Sequence, residues 1–413
     1  MDLFELYLRN PSISTDTRTI ESGDIFFALK GDQFDGNIYI DQAIEKGAIL
    51  CVSDDQNRKG QDKVWVTQNV LTSLQDLAHK YRKLLKGKVM GLTGSNGKTT
   101  TKELLYQVLS QKYKTHATKG NLNNHIGVPL TLLSVPIDAE MIIIEMGANH
   151  QGEIHELCEI ADPYYGLITN CGKAHLEGFG GIYGVIKGKT ELYRYLNRNE
   201  GTIFYNPDDR ILVENLPSGT LNIPYMSYQL LNSYPTISVH INDIIYDSPM
   251  YGDFNAGNIV CAVSVGSYFK VDPADMQKAI QSYVPANNRS QFIQFRDAEI
   301  FLDAYNANPT SMEFGLNFFD GIHRENKMVI LGDMLELGEY GEAEHQKMVD
   351  KLKTMKIDRV LLVGPVFKKT RHAFPVFENV MEAQSYFDDL DIKGCSVYIK
   401  GSRGIQLEKL VNQ

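Results

Sequence analysis

Two periodicities alternate along the chain. Short apolar runs read as buried strands, and stretches with apolar residues three and four apart read as helices. Residues 1–85 hold strand candidates at 24–30, 48–52 and 63–66, with helices at 39–46 and 71–85. Residues 86–290 begin with the run Val89, Met90, Leu92 and an apolar stripe at Leu104, Leu105, Val108 and Leu109. Further strands follow at 141–146, 165–170 and 202–206, and helices are predicted at 184–193 and from 253 to 263. Between them, 210–250 alternates short β-like runs with turns and reads as a meander or irregular insertion. Residues 291–413 carry strands at 299–303, 327–331, 359–363 and 396–400. Helical patterns at 310–319, 342–355, 380–388 and 406–410 alternate with them. That alternation predicts a doubly wound, Rossmann-like sheet. The whole reads as an α/β chain of three domains: a small N-terminal α/β unit (1–85), a central unit with a mostly parallel sheet (86–290) and a C-terminal Rossmann-like unit (291–413). Lys86-Gly87-Lys88 is the first linker.

The junction of the central unit's first strand and helix carries the clearest chemistry, Thr93-Gly-Ser-Asn-Gly-Lys-Thr-Thr100. Gly94 and Gly97 let the backbone wrap an anion. The N–H groups of Ser95, Asn96, Gly97 and Thr100 lie at a helix start, where the dipole favours negative charge. Lys98 would reach the β- and γ-phosphates and Thr99 a Mg²⁺ ion. The common phosphate-loop pattern puts a glycine five residues before Gly97; here that residue is Leu92, so this is a variant, T-G-x-x-G-K-T. An ordinary Gly-rich turn would not need Lys-Thr directly after its second glycine. The central unit is therefore P-loop ATPase-like.

Other polar groups fall where such a sheet puts ligands, beyond the strand C-termini. Glu145 ends the run 141–145 and is placed as the acidic partner of a P-loop, or else as a strand-end carboxylate facing water. The loop 117–129 packs Asn121, Asn123 and Asn124 together and is either solvated or holds a polar ligand. His175 lies on a Gly-rich turn after a strand, which raises its odds of metal or polar contact. Lys187 and Lys189 are not distinguished by spacing from solvated charges. Asn255 and Asn258, three apart, share a helix face; on spacing alone they are capping or solvated amides. The segments 303–310, 332–338 and 400–403 each follow a C-terminal strand and together suggest a site on one rim.

Composition narrows the field. A chain of 413 residues carries a soft expectation of roughly two to three domains. A net charge of −10 argues against general nucleic-acid affinity. No apolar run is long enough to span a bilayer. The start, Met-Asp-Leu-Phe-Glu, lacks the basic, apolar pattern of a signal peptide, and cysteines 51, 158, 171, 261 and 395 have no C-x-x-C spacing. The expectation is a cytoplasmic protein with reduced thiols.

Taken together the motifs resemble the Mur ligases of peptidoglycan synthesis. The resemblance rests on Thr93–Thr99, Gly120-Asn-Leu-Asn-Asn-His-Ile-Gly-Val-Pro129 and Glu145-Met-Gly-Ala-Asn-His150, in the family's order. It continues through Ala174-His-Leu-Glu-Gly-Phe179, Asp303-Ala-Tyr-Asn-Ala-Asn308, Gly332-Asp-Met-Leu-Glu-Leu-Gly338 and Lys400-Gly-Ser-Arg403. Several of these resemble the branch that adds D-alanyl-D-alanine in particular. The resemblance implies an ATP-dependent amide ligase using Mg²⁺. It would join D-alanyl-D-alanine to UDP-N-acetylmuramoyl-tripeptide through an acyl phosphate, as a cytoplasmic monomer with neither nucleic acid nor membrane as partner. It implies that Lys98, Lys189 and His175 are catalytic, and that Thr99, Glu145, His175 and Lys189 hold metal, Lys189 as its carbamate. It puts Asn255 and Asn258 near adenine, Asp303 at ribose and Arg289 between domains. Asn306, Asn308 and Arg403 are implied as substrate contacts. Thr15, Asp16, Thr17, Arg18, Lys30 and Asp35, which by composition alone are surface turns, become UDP-sugar contacts. Thr118, Asn121, Asn123 and Asn124 would meet the muramoyl substrate. One departure is Ala286-Asn-Asn-Arg289, where family members often carry Pro-Gly-Arg.

Rival readings are a Mur ligase adding a single amino acid, a folylpolyglutamate synthase-like ligase, a P-loop NTPase that only hydrolyses, and a non-catalytic UDP-sugar-binding protein. The segment 303–308 argues against the first two. The Asn-rich loop is unexplained by the third, and intact Lys98, Thr99 and Glu145 oppose the fourth.

Overall fold

The computed structural model describes residues 2–31, 33–285 and 288–411. Ala286 and Asn287, the first two residues of the departure noted above, lie outside them, as does Asp32 in the 30–37 turn. Three main sheets follow one another along the chain.

The first is four-stranded and parallel: Ile13–Ser14, Ile25–Phe27, Leu50–Ser53 and Val64–Val66, in that spatial order. A two-stranded hairpin, Lys30–Gly31 with Phe34–Asp35, stands beside it. Helix Val70–Arg82 buries Leu74, Leu77, Ala78 and Tyr81, the stripe expected of it. It also docks this unit on the next through the Tyr81 hydroxyl, which donates to Val135 O at 2.8 Å, and helix Leu3–Arg9 does the same through the Tyr7 hydroxyl, which donates to Leu133 O at 2.6 Å.

The second sheet is six-stranded and wholly parallel. Its order is Leu221–Pro224, Thr202–Tyr205, Tyr165–Ile168, Lys88–Thr93, Met141–Glu145, Thr115–Ala117. Helices cover both faces, so the inner strands Tyr165–Ile168, Lys88–Thr93 and Met141–Glu145 are buried except at Lys88 and read as continuous apolar runs rather than alternations. Helix Lys98–Leu109 packs on Ala256–Tyr268 at Gly266, where an added Cβ would lie 2.5 Å from Val108 Cγ1.

The third sheet runs Gln291–Phe295, Ala298–Asp303, Ser396–Lys400, Lys327–Gly332, Arg359–Val363, Val376–Phe377. Only its first strand is antiparallel. The Rossmann-like expectation holds, with an added strand at each edge, Gln291–Phe295 and Val376–Phe377, that the apolar pattern did not announce.

Three local expectations change. The stretch 210–250 is not a simple meander. It contains a helix at Arg210–Glu214, the edge strand Leu221–Pro224 of the central sheet, and a separate antiparallel sheet of Gln229–Asn232, Ile237–Ile241 and Ile244–Ser248. The single helix over 184–193 is two, Ile182–Lys189 and Glu191–Arg198, joined at Thr190. The segment 406–410 forms 3₁₀ turns, because Gln406 sits at φ 60° and interrupts any α-helix.

Candidate active site

The phosphate-loop turn follows from register. Leu92 pairs with Glu145, so the chain leaves the sheet at Thr93 with Glu145 on the adjacent strand end. Gly94 has φ 144° and Gly97 φ 78°. A Cβ on Gly94 would lie 2.0 Å from Thr169 Oγ1, and one on Gly97 2.7 Å from Asn258 Oδ1. Both positions require glycine twice over, for backbone freedom and for space. The turn is then held from outside: Asn96 N donates to Asn170 Oδ1 at 3.1 Å, and Ser95 Oγ to Gly172 O at 2.9 Å.

Lys98 Nζ donates to Gly94 O at 2.7 Å, its side chain folded along the turn. Burial pushes its ammonium below the ordinary lysine value; Glu145 opposes that and the Arg289 charge adds to it. Glu145 is 1% exposed, which removes the water-facing alternative. Its Oε1 accepts from Asn123 Nδ2 at 2.8 Å and Thr99 Oγ1 at 3.3 Å, while its Oε2 is buried without a partner. A carboxylate oxygen left bare in the interior is costly unless something charged meets it. Its position against Thr99 suits a divalent cation. Among the described residues no three His, Cys, Asp or Glu side chains converge on a common point. Such a site fits Mg²⁺, which takes one or two protein oxygens and completes its shell with phosphate and water.

One cavity of about 870 Å³ joins the central and C-terminal units. It is lined by Ser95, Asn96, Gly97, Lys98, Thr99 and Thr100, by Asn121, Asn123 and Asn124, and by Glu145 and His175. Asn255, Asn258, Arg289, Asp303, Asn306, Asn308 and Arg403 complete the predicted residues in its wall. The three C-terminal polar segments thus do share a rim, and it faces the phosphate loop. Asn308 Nδ2 donates across the gap to Asn96 Oδ1 at 2.7 Å, and the Lys173 N–H to Thr310 Oγ1 at 2.9 Å.

Several predicted residues have partners that sequence could not show. Asn255 donates to Tyr251 O at 2.8 Å and accepts from Asn258, whose own Oδ1 takes the Thr101 hydroxyl. The pair ties the phosphate-loop helix to its neighbour. Asp303 pairs in register with Lys400, and their side chains form an ion pair at 2.5 Å. His175, at φ 51°, has Nδ1 2.5 Å from Glu336 Oε2, a contact between units. It holds the Glu336 carboxyl below its usual range.

Lys189 and Thr118 lie behind the cavity wall. Lys189 is 1% exposed, donates to Ala148 O at 3.1 Å and lies over the Phe179 ring. Burial, with the Lys98 charge second, lowers its amine to about 7. Thr118 is buried, its hydroxyl accepting from the Glu145 N–H at 3.0 Å. Gly94 is likewise enclosed. The N-terminal turn residues are not brought to this cavity. Thr15 and Asp16 line a second one of about 340 Å³ with Lys119, Leu122 and Thr131. Arg18 pairs with Asp16 at 2.6 Å, and Lys30 with Asp54 at 2.9 Å and Asp35 at 3.7 Å. Reading single residues missed Tyr305, Glu336 and Asn170, although the first two stand inside motifs already noted.

Family models match the chain in three consecutive segments. "Mur ligase family, catalytic domain" matches residues 11–84, "Mur ligase middle domain" 92–266, and "Mur ligase, glutamate ligase domain" 288–395. The chain is 34% identical to the UDP-N-acetylmuramoyl-tripeptide–D-alanyl-D-alanine ligase of Bacillus subtilis, over 97% of this chain and 92% of that one. A crystal structure of MurF from Acinetobacter baumannii matches with a TM-score of 0.87 at 30% identity, covering 97% of this chain and 92% of that one. A MurF ligase from Thermotoga maritima, solved in complex with ADP, shares the fold with a TM-score of 0.85 at 24% identity, covering 99% and 97%.

Proposed function

The chain belongs to the Mur ligase family, and from this we infer that it is the ATP-dependent ligase joining D-alanyl-D-alanine to UDP-N-acetylmuramoyl-tripeptide. The product is the pentapeptide precursor of peptidoglycan. The observation that carries the reading is the shared cavity. It sets a phosphate loop with Lys98 and Glu145 opposite a second polar rim carrying Asn306, Asn308 and Arg403. An enzyme that only hydrolyses ATP would have no use for the second rim.

The chemistry follows from the weakness of a carboxylate as an electrophile: its charge repels nucleophiles and its leaving group would be oxide. Transfer of the ATP γ-phosphoryl group to the tripeptide carboxylate makes an acyl phosphate, which the dipeptide amine can attack with loss of phosphate. Positioning and electrostatics supply the catalysis. Lys98 leaves Gly94 O and follows the phosphate charge. Thr99 and Glu145 would hold a Mg²⁺ ion, for which the bare Oε2 is the argument. Bound there, the ion would neutralise charge developing on the phosphate oxygens. Asn123 fixes the carboxylate's rotation and Thr118 its backbone.

Lys189 serves this site as a carbamate. An amine lowered to about 7 is about half neutral near pH 7, and only the neutral form adds CO₂. His175 joins it toward a second ion. We assign residues 1–85 to UDP-sugar binding through Thr15, Asp16, Thr17, Arg18, Lys30 and Asp35, 86–290 to ATP, and 291–413 to the acceptor. Free buried cysteines suit a reducing cytoplasm, and the enzyme acts there as a monomer. Phosphate release in the presence of ATP and Mg²⁺ should require both the UDP-muramoyl-tripeptide and D-alanyl-D-alanine. Turnover with a free amino acid but not with the dipeptide would overturn the assignment.

A further inference from the structure

Two arginines share one aromatic ring at the cavity wall. The Arg289 guanidinium carbon lies 3.6 Å from the Tyr305 ring centroid, and that of Arg403 lies 5.4 Å from the same centroid. Both distances are within cation–π range. All three side chains line the large cavity. Among the described residues neither guanidinium has a carboxylate within ion-pair distance or a hydrogen-bond acceptor, whereas Lys400 in the same wall pairs with Asp303.

The backbones beneath these side chains are fixed. The Tyr305 N–H donates to Asn288 O at 3.1 Å, tying the ring to the residue before Arg289. Arg403 follows Ser402, whose hydroxyl donates to Ala307 O at 3.3 Å and accepts from the Leu335 N–H at 2.9 Å. Lys400, three residues earlier, is spent on Asp303. Lys400 is neutralised, then, while Arg403 is exposed and unpaired at the end of a locked turn. Two guanidinium groups this close would repel. The negative face of the ring offsets that and fixes their spacing, since planar guanidinium stacks on aromatic faces as ammonium does not.

The two cations differ in what they face. Arg289 lines the same cavity as Lys98, and its charge adds to the lowering of that ammonium. Arg403 belongs to the C-terminal rim. The reaction, on the function proposed above, must bring two anions together: a phosphorylated carboxyl group and a dipeptide whose amine attacks while its own carboxylate travels with it. We propose that Tyr305 is a positioning residue that, with Arg289 on the same ring, sets the place of Arg403, and that Arg403 binds the C-terminal carboxylate of the acceptor dipeptide. The enzyme on this account selects its acceptor by a terminal negative charge at a fixed distance from the reacting amine.

The test compares kcat/KM for D-alanyl-D-alanine with that for D-alanyl-D-alaninamide, which keeps the amine and both methyl groups but lacks the charge. ATP and the UDP-tripeptide are saturating throughout. A charge-assisted, bidentate contact predicts an acid-over-amide preference on the order of 10- to 100-fold in the unaltered enzyme. Arg403→Gln should bring the ratio close to one, and Tyr305→Leu should reduce it about three- to ten-fold. Tyr305→Phe should keep it, because the Tyr305 hydroxyl makes no hydrogen bond among the described residues. In all variants the KM for the UDP-tripeptide should stay within about two-fold. Arg403 is exposed, so its variant keeps the test decisive even where Tyr305→Leu misfolds. Equal use of acid and amide by the unaltered enzyme overturns the proposal alone. So does a ratio that survives Arg403→Gln, or one that falls as far in Tyr305→Phe as in Tyr305→Leu. Failure to ligate either acceptor overturns it together with the function it rests on.

Discussion

The cavity at the phosphate loop and the cleft at the N-terminal turns are built on opposite terms. In the first, polar groups are buried and already held: Glu145 by Asn123 and Thr118, Asn255 by Tyr251, Asp303 by Lys400. In the second, they are exposed and held mainly by one another. Asp16 and Arg18 form an ion pair whose side chains are 37% and 87% exposed, and the Arg18 hydrogen bonds take the Asp16 carboxyl down to about 2. The contrast suits a division of labour. Stabilising a developing charge needs donors and ions that do not reorganise, in a place where water does not screen them. Gripping a bulky soluble nucleotide-sugar needs reach and adaptable contacts, and tolerates screening.

If the division is right, the largest losses come from the buried set and fall on kcat. Glu145→Ala should lower kcat by about 10²- to 10³-fold and leave the KM for the UDP-tripeptide nearly unchanged. The same change should shift the melting temperature by only a few degrees, because losing the Oε1 bonds to Asn123 and Thr99 is offset by removing an oxygen buried without a partner. Steady-state kinetics and a thermal melt together check this. A rise in KM with kcat preserved would place Glu145 among the gripping residues and break the comparison.

Lys189 gives an intermediate effect that depends on pH. Its folded value of about 7 lies below the lysine reference of 10.5, and burial is the chief cause. The unfolded chain therefore binds the extra proton between about pH 7 and 10.5, and the native state gains stability as pH rises through that window. Below about pH 7 the buried amine is charged in both states and its full burial penalty is felt. Carbamate formation follows the same direction, since the ammonium cannot add CO₂. Stripping dissolved CO₂ should cost about three- to ten-fold in activity near neutral pH, and bicarbonate should restore it. In Lys189→Arg, which keeps the positive charge and forms no such carbamate, the response to bicarbonate should vanish. Activity indifferent to CO₂ in the unaltered enzyme would remove the carbamate reading.

The contrast between the two regions also explains what could be read before the structure. Gly94, Gly97, Lys98 and Glu145 were legible because their chemistry is local: a turn, a helix start and a strand end fix them within a few residues. The central strands were legible because burial on both faces makes them plain apolar runs. Leu221–Pro224 was not, since it is an edge strand with partly exposed, mixed residues and no clean period. Thr190 hides its helix break because residues on both sides keep an apolar stripe. Lys189 was indistinguishable from Lys187 by spacing, yet packing makes one buried and leaves the other exposed. The Asp303–Lys400 pair and the Arg289–Tyr305–Arg403 cluster unite residues far apart in the chain, which only the order of strands in the sheet brings together.

The smallest effect should come from the exposed set. Arg18 is in solvent, and its pairing with Asp16 contributes little to folding, as exposed ion pairs generally do. Its value on the present reading lies in presenting charge to the UDP-sugar beside the cleft that Thr15, Asp16 and Lys119 line. Arg18→Ala should therefore raise the KM for the UDP-tripeptide by about three- to ten-fold while kcat and the melting temperature stay put. The defect should shrink as ionic strength rises, because salt screens the intact enzyme's contact as well. Titrating UDP-tripeptide at low and high salt separates the outcomes. A kcat defect in Arg18→Ala would mean that the N-terminal turns act on the reacting group itself, and the two regions would then be one site.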